Sequence, residues 1–143
     1  MAQFPELMPG LSGTIQHWVD KKSTARQLGS GTVDVLATPE LVRLMEIASV
    51  AALSGHLPPE FTSVGVAINI EHVAPTPVGL SVEVRAILAE VHGRRLKFQV
   101  VAHDETEEIG RGTHERVLVE VEGFVARANR KLQQPMSTNP RQD

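Results

Sequence analysis

A chain of 143 residues with 41% hydrophobic content has the length of one domain and enough apolar side chains for a real core. The net charge is -3, with Lys and Arg scattered among acidic residues, and aromatics are 3%; this offers neither a basic stripe for nucleic acid or an anionic membrane nor a set of base-stacking platforms. No run approaches the ~18 apolar residues of a membrane span, Met1 to Gly10 lacks the regions of a signal peptide, and there are no cysteines, so the expectation is a cytoplasmic protein without disulfides or thiolate metal sites.

Leu11 to Val19, LSGTIQHWV, has the β-branched and aromatic character of a first strand. Lys21 to Gly31 is polar and glycine-bearing and reads as a loop. Thr38 then opens a long helix, TPELVRLMEIASVAAL, with Thr38 expected as N-cap, Pro39 in the first helical position and Glu40 facing the positive dipole end. Gly55 supplies the stop, and His56-Leu-Pro-Pro breaks the chain before a long β region.

In SVGVAINIEH, Val64, Val66, Ile68 and Ile70 alternate with smaller or polar residues, the period of a strand with one buried face. Leu80, Val82, Val84, Ala86 and Leu88 repeat the pattern. His92-Gly93 turns the chain into a partner strand whose inward residues are Leu96, Phe98, Val100 and Ala102. After the acidic DETEE segment a last strand runs through IGRGTHERVLVEV, followed by a short helix, GFVARANRKL. The expected organisation is one domain over residues 1–132 and a disordered tail over 133–143. Antiparallel strands following one long apolar helix imply an α+β layer with the helix on the concave side of the sheet. One sheet covers such a helix on one side only, which points to a homodimer or higher homo-oligomer.

Four segments in order, LMEIASVAAL, INIEHVAPTPVGLSVEV, EVHGRRL and AHDETEEIGRGTHERV, give a chain that resembles the hotdog-fold thioesterases and, within them, the fluoroacetyl-coenzyme A thioesterase-like group. The resemblance spans roughly Val33 to Phe124. It implies a long central helix wrapped by a curved antiparallel sheet, an acyl-coenzyme A substrate, a pocket between subunits and no cofactor. It also implies catalytic roles for a Thr at the helix start, a Glu eight residues on and a His at the end of the next strand: Thr38, Glu46 and His72. Substrate contacts are implied for Gly65 and Arg116. The fluoroacetyl-specific member gates its pocket with aromatics ahead of the helix, whereas this chain reads QLGSGTVDVLA there; strong selection for fluorine is therefore not expected.

Each site residue also has a purely structural reading. Glu46 could pair with Arg43 one turn back, or be buried and used as a base or nucleophile. Thr38 could simply cap the helix, or hold a nucleophile or thioester oxygen where free N–H groups point. His72, in phase with Ile68 and Ile70, could be a core imidazole or a proton shuttle at a sheet end. Arg116 alternates into line with Leu118 and could point towards substrate or Glu46. Arg94 and Arg95 could meet coenzyme A phosphates or merely flank a hairpin. His17, His56, His92, His103 and His114 show no metal-ligand spacing, and neither a phosphate loop nor a GxSxG elbow is present. The chain lacks the D-x-N-P-x-H run of hotdog hydratases. A non-catalytic acyl-thioester binding module is the remaining alternative to an acyl-CoA thioesterase.

Overall fold

The structure is a computed structural model describing residues 4–134. In chain order the elements are β1 (Ser12–Trp18), α1 (Ala25–Leu28), α2 (Thr38–Leu53), β2 (Phe61–His72), β3 (Ser81–His92), β4 (Arg95–His103), β5 (Glu108–Glu120) and α3 (Val121–Asn129). The five strands form one antiparallel sheet in the order β1-β3-β4-β5-β2. It is an α+β hotdog architecture, with the sheet curled around α2.

The alternation in β3 and β4 builds the core. Val82, Val84, Ala86, Leu88, Leu96, Phe98 and Ala102 are fully buried and meet Leu41, Leu44, Met45, Ala48 and Ala52 of α2. Each such larger aliphatic or aromatic side chain contributes about 1.5–3 kcal/mol by leaving water. The β1 edge closes tightly on the helix through Gly13, where a Cβ would strike the Ala48 carbonyl and the Ala52 amide. The turn between β3 and β4 falls at Gly93-Arg94, with His92 paired to Arg95.

The other edge, β2, departs from its expected pattern. A bulge between Gly65 and Ala67 shifts the register, so Val64 lies opposite Val117 while Ile68 lies opposite His114. Directly opposed residues share a sheet face; one inserted residue therefore puts Val64 and Ile68 on opposite faces. Ile68, Ile70 and His72 stay in phase. Val66 and Ile68 are exposed, not buried, because β2 is the sheet edge and no strand pairs beyond it among the described residues.

Two further expectations need amending, and one feature was not among them. Lys21 to Gly31 is not a plain loop: Asp20 and Ser23 form a reciprocal cap over a 3₁₀ turn, and Thr24 caps α1 by accepting from the Gln27 amide. The segment before β1 contributes Phe4 and Leu7 to the core, with Phe4 edge-on to Phe61 at 5.1 Å between centroids. The C-terminal helix begins at Val121 and buries none of its residues. The expected tail lies outside the described residues from 135 onward.

Candidate active site

Thr38 is the first residue of α2, but it does not cap it. Ala37 occupies the cap position and, among the described residues, no side-chain hydrogen bond caps the helix. The Thr38 hydroxyl instead reaches across the sheet end to His72, with 2.7 Å between Oγ1 and Nδ1. β2 stops at His72 because the chain turns through Val73-Ala74-Pro75, the Val73 amide bonding to the Ile109 carbonyl. Burial pushes the His72 imidazole below its ordinary pKa. Its Nε2 is buried without a hydrogen-bond partner among the described residues. Donor and acceptor in the Thr38–His72 bond exchange with the imidazole tautomer, so this pair can pass a proton. It opens into a cleft of about 290 Å³ lined by Leu36, Val73, Ala74 and Pro75.

Glu46 lies two turns further along α2. Arg43 does not pair with it: Arg43 forms a bidentate bridge to Glu40 at 2.8 and 2.9 Å, which removes the simple structural reading of Glu46. Nor does its own chain bury Glu46, whose side chain is 43% exposed. The neighbouring Ile47 and Val50 are also uncovered. The expected burial in an all-apolar helix therefore fails within a single chain. The partner of Glu46 is Arg116, with 3.7 Å between Oε2 and Nη1.

Arg116 points inward as its alternation with Leu118 suggested, and it is 6% exposed. Its Nε donates to Ser63 Oγ at 2.8 Å, its Nη2 to the Ser63 carbonyl at 3.0 Å and its Nη1 to His114 Nε2 at 3.1 Å. Burial lowers the Arg116 pKa, and Glu46 works against that. Gly65 sits opposite Arg116 in the ladder, leaving room that a Cβ would take from Glu46 Oε2. Glu46, Gly65, Ala67, Ile68 and His114 line a second cleft of about 250 Å³.

The structure thus joins Thr38 to His72 in one cleft and Glu46 to Gly65 in another, both lined by residues of α2 and β2, with Arg116 reaching Glu46 from β5. At the level of sequence, His114 is weighed only as a metal ligand and Ser63 is not weighed. The alternation of His114, Arg116 and Leu118 on β5 was the available signal, since it puts all three on the inward face. Arg94 and Arg95 are engaged elsewhere, Arg94 over the Phe61 ring and Arg95 with Glu115.

A family model described as Fluoroacetyl-CoA-specific thioesterase matches residues 19–122. The chain belongs to this family. The fluoroacetyl-CoA thioesterase of Streptantibioticus cattleyicolor is 48% identical over 98 residues, 68% of this chain and 70% of the relative. A threonine-to-serine variant of the fluoroacetyl-CoA thioesterase FlK, solved in complex with acetyl-CoA, is similar at a TM-score of 0.83 and 40% identity, over 87% of this chain and 98% of that one. A hot-dog-like protein from Thermanaerovibrio acidaminovorans, 23% identical with a TM-score of 0.83 over 92% of this chain and 97% of its own, shares the fold. Membership of the fluoroacetyl-CoA-specific thioesterase family and the two clefts thus come from the same stretch of chain. No described helix is long and apolar enough to cross a membrane.

Proposed function

We propose that this protein is an acyl-coenzyme A thioesterase acting on short or medium acyl groups, with Thr38, Glu46 and His72 as its catalytic residues. The observation that carries the reading is the Thr38–His72 hydrogen bond, made at an uncapped helix N-terminus and open to a cleft. The free amides and dipole at that end polarise the thioester carbonyl. His72, biased towards its neutral form, takes the proton from the attacking hydroxyl, either that of Thr38 or that of a water. The carbon–sulfur bond breaks, and coenzyme A leaves as thiolate and recovers the proton; water attack gives the acid directly, whereas Thr38 attack gives an acyl-threonine ester that a water, deprotonated by His72, hydrolyses to the acid and the restored hydroxyl. Glu46 serves as base or nucleophile for the same carbonyl, and Gly65 and Arg116 bound the space for the acyl group.

The reading needs a second copy of the chain. Ile47, Val50, Val66 and Ile68 form an uncovered apolar margin around Glu46 beside the open β2 edge. A homodimer covers that margin and gives Glu46 the desolvation that its own chain withholds. A cytoplasmic location fits an enzyme that draws on the coenzyme A thioesters made there. The small aliphatic lining at Ala25, Val35, Leu36 and Ala74 favours modest selectivity, since one small substituent in an apolar pocket changes discrimination by only ~1–3 kcal/mol. A hydrolysis screen over a panel of acyl-coenzyme A esters, following thiol release, tests the reading. Turnover of acetyl and longer esters within about two orders of magnitude of fluoroacetyl is expected. No thiol release from any ester would overturn the assignment.

A further inference from the structure

His114 is a buried imidazole with both ring nitrogens engaged by groups that have no choice of role. Its Nδ1 lies 2.9 Å from the Ala67 carbonyl oxygen, which can only accept. Its Nε2 lies 3.1 Å from Arg116 Nη1, which can only donate. The two contacts together are satisfied by one species, the neutral imidazole with its proton on Nδ1. A second proton would remove the acceptor that Arg116 uses and set two buried cations side by side.

We propose that His114 is a positioning residue, held as the neutral Nδ1–H tautomer, which steadies Nη1 of the Arg116 guanidinium against Glu46 and beside Gly65 and gives up that hydrogen bond when protonated. The proposal rests on the reading of Arg116 and Glu46 as part of the site. The remaining contacts support it. Ser63 on β2 holds the Nε and Nη2 edge of the guanidinium, and the groups at Nη1 are His114, which takes its hydrogen bond at 3.1 Å, and Glu46 at 3.7 Å. From β4 the Phe98 ring stacks on the imidazole at 6.4 Å between centroids and offers no charge. The charged groups facing His114 are Arg116 from β5 and Glu46 from α2, and the adjacent Glu115 acts on it from the other face of β5. Burial lowers its pKa first and Arg116 adds to this, against the Ala67 carbonyl, Glu46 and Glu115.

Long-range ¹H–¹⁵N correlation spectra of the ¹⁵N-histidine-labelled full chain, with the His114 signals assigned by their loss in His114→Gln, test the state directly. A protonated Nδ1 and a bare Nε2 at neutral pH are expected; the opposite tautomer, or a charged ring, would overturn the proposal. Kinetics test the role. His114→Gln keeps an acceptor for Arg116 and cannot titrate, so KM for the preferred acyl-coenzyme A should stay within about threefold, whereas His114→Phe should raise KM about tenfold, the scale of one lost hydrogen bond. Equal KM in wild type and both variants would also overturn it. The spectra need no turnover, so they decide on His114 even where the hydrolysis screen rejects the thioesterase reading or where His114→Phe fails to fold.

Discussion

Thr38 and His72 are 34 positions apart and meet at 2.7 Å, a hydroxyl against an imidazole nitrogen at the mouth of a cleft. A capping threonine would have turned its oxygen back to the amides of its own helix; this one turns away and leaves them free. The consequence is that Thr38 should matter for chemistry and hardly at all for helix stability. Thr38→Ser keeps a hydroxyl within reach of His72 and should retain activity within about tenfold, while Thr38→Val should lose at least about 10²-fold in kcat. Equal kcat values in the serine and valine proteins would count against the pair.

Glu46→Gln separates a working carboxylate from a decorative one. Arg43 is committed to Glu40, so no helix-surface pairing is lost, and the amide fills the same space beside Arg116. Hydrolysis should fall by about 10²–10⁴-fold, the range for loss of a general base, with the melting temperature little changed. Arg43→Ala should leave kcat untouched. Near-wild-type turnover in Glu46→Gln would remove the carboxylate from the mechanism.

Gly65→Ala probes the same cleft from the strand. The new methyl carbon would lie 2.9 Å from Glu46 Oε2, 3.2 Å from His114 Cε1 and 3.4 Å from Arg116 Nη1. The closest of these is the end of a flexible side chain that can swing away, so folding survives while Glu46 is displaced. A loss of kcat of at least tenfold is expected, because small displacements of reacting groups can cost as much as about 10²-fold. Unchanged kcat and KM would show that Glu46 needs no fixed position.

Acid should weaken the fold through two imidazoles. Burial holds His72 and His114 below the ordinary value of 6.5. Between their folded values and 6.5 the unfolded chain binds more protons than the native one, so stability rises with pH across that window and falls as pH drops through it. Asp104 acts in the same direction at lower pH: burial opposes its ionisation, but hydrogen bonds from Thr106, Thr76 and Glu107 outweigh this and hold its carboxyl below the usual range. Thermal unfolding between pH 5 and 7.5 should show the upper part of this slope, flattened in His114→Gln. A melting temperature that rises towards pH 5 contradicts the sign.

How much of this was legible depended on how far each residue's partner lay along the chain. The inward sets of β3 and β4 were readable because alternation alone decides them, and Arg116 could be placed from Leu118 two residues on. The phase of β2 could not be followed through Gly65, since the bulge is fixed by pairing with β5, some fifty residues later. Thr38 looked like a cap because capping is a local rule, while His72 arrives only with the fold. Asp20 to Gln27 did carry local signals, an Asp-x-x-Ser box and a Thr three residues before Gln27, which its polar composition obscured. The partner of Glu46 required the sheet.

The uncovered margin around Glu46 makes the strongest prediction about assembly. Val50 is 49% exposed on α2 and Val66 is 48% exposed on the bulge of β2, and neither position gains anything from water. If a second copy covers them, sedimentation at micromolar concentration should give a species of at least twice the 15.6 kDa chain. Val50→Lys would then place a charge in the contact, shift the population towards single chains and lower activity per chain, with activity recovering as concentration rises by mass action. Val125 is as exposed as these two, at 48% on α3, and lies away from both clefts. Val125→Lys should therefore change neither assembly nor turnover. A fully active species of 15.6 kDa at all concentrations would mean that Glu46 works half in water, and the desolvation assigned to the partner would have to be abandoned.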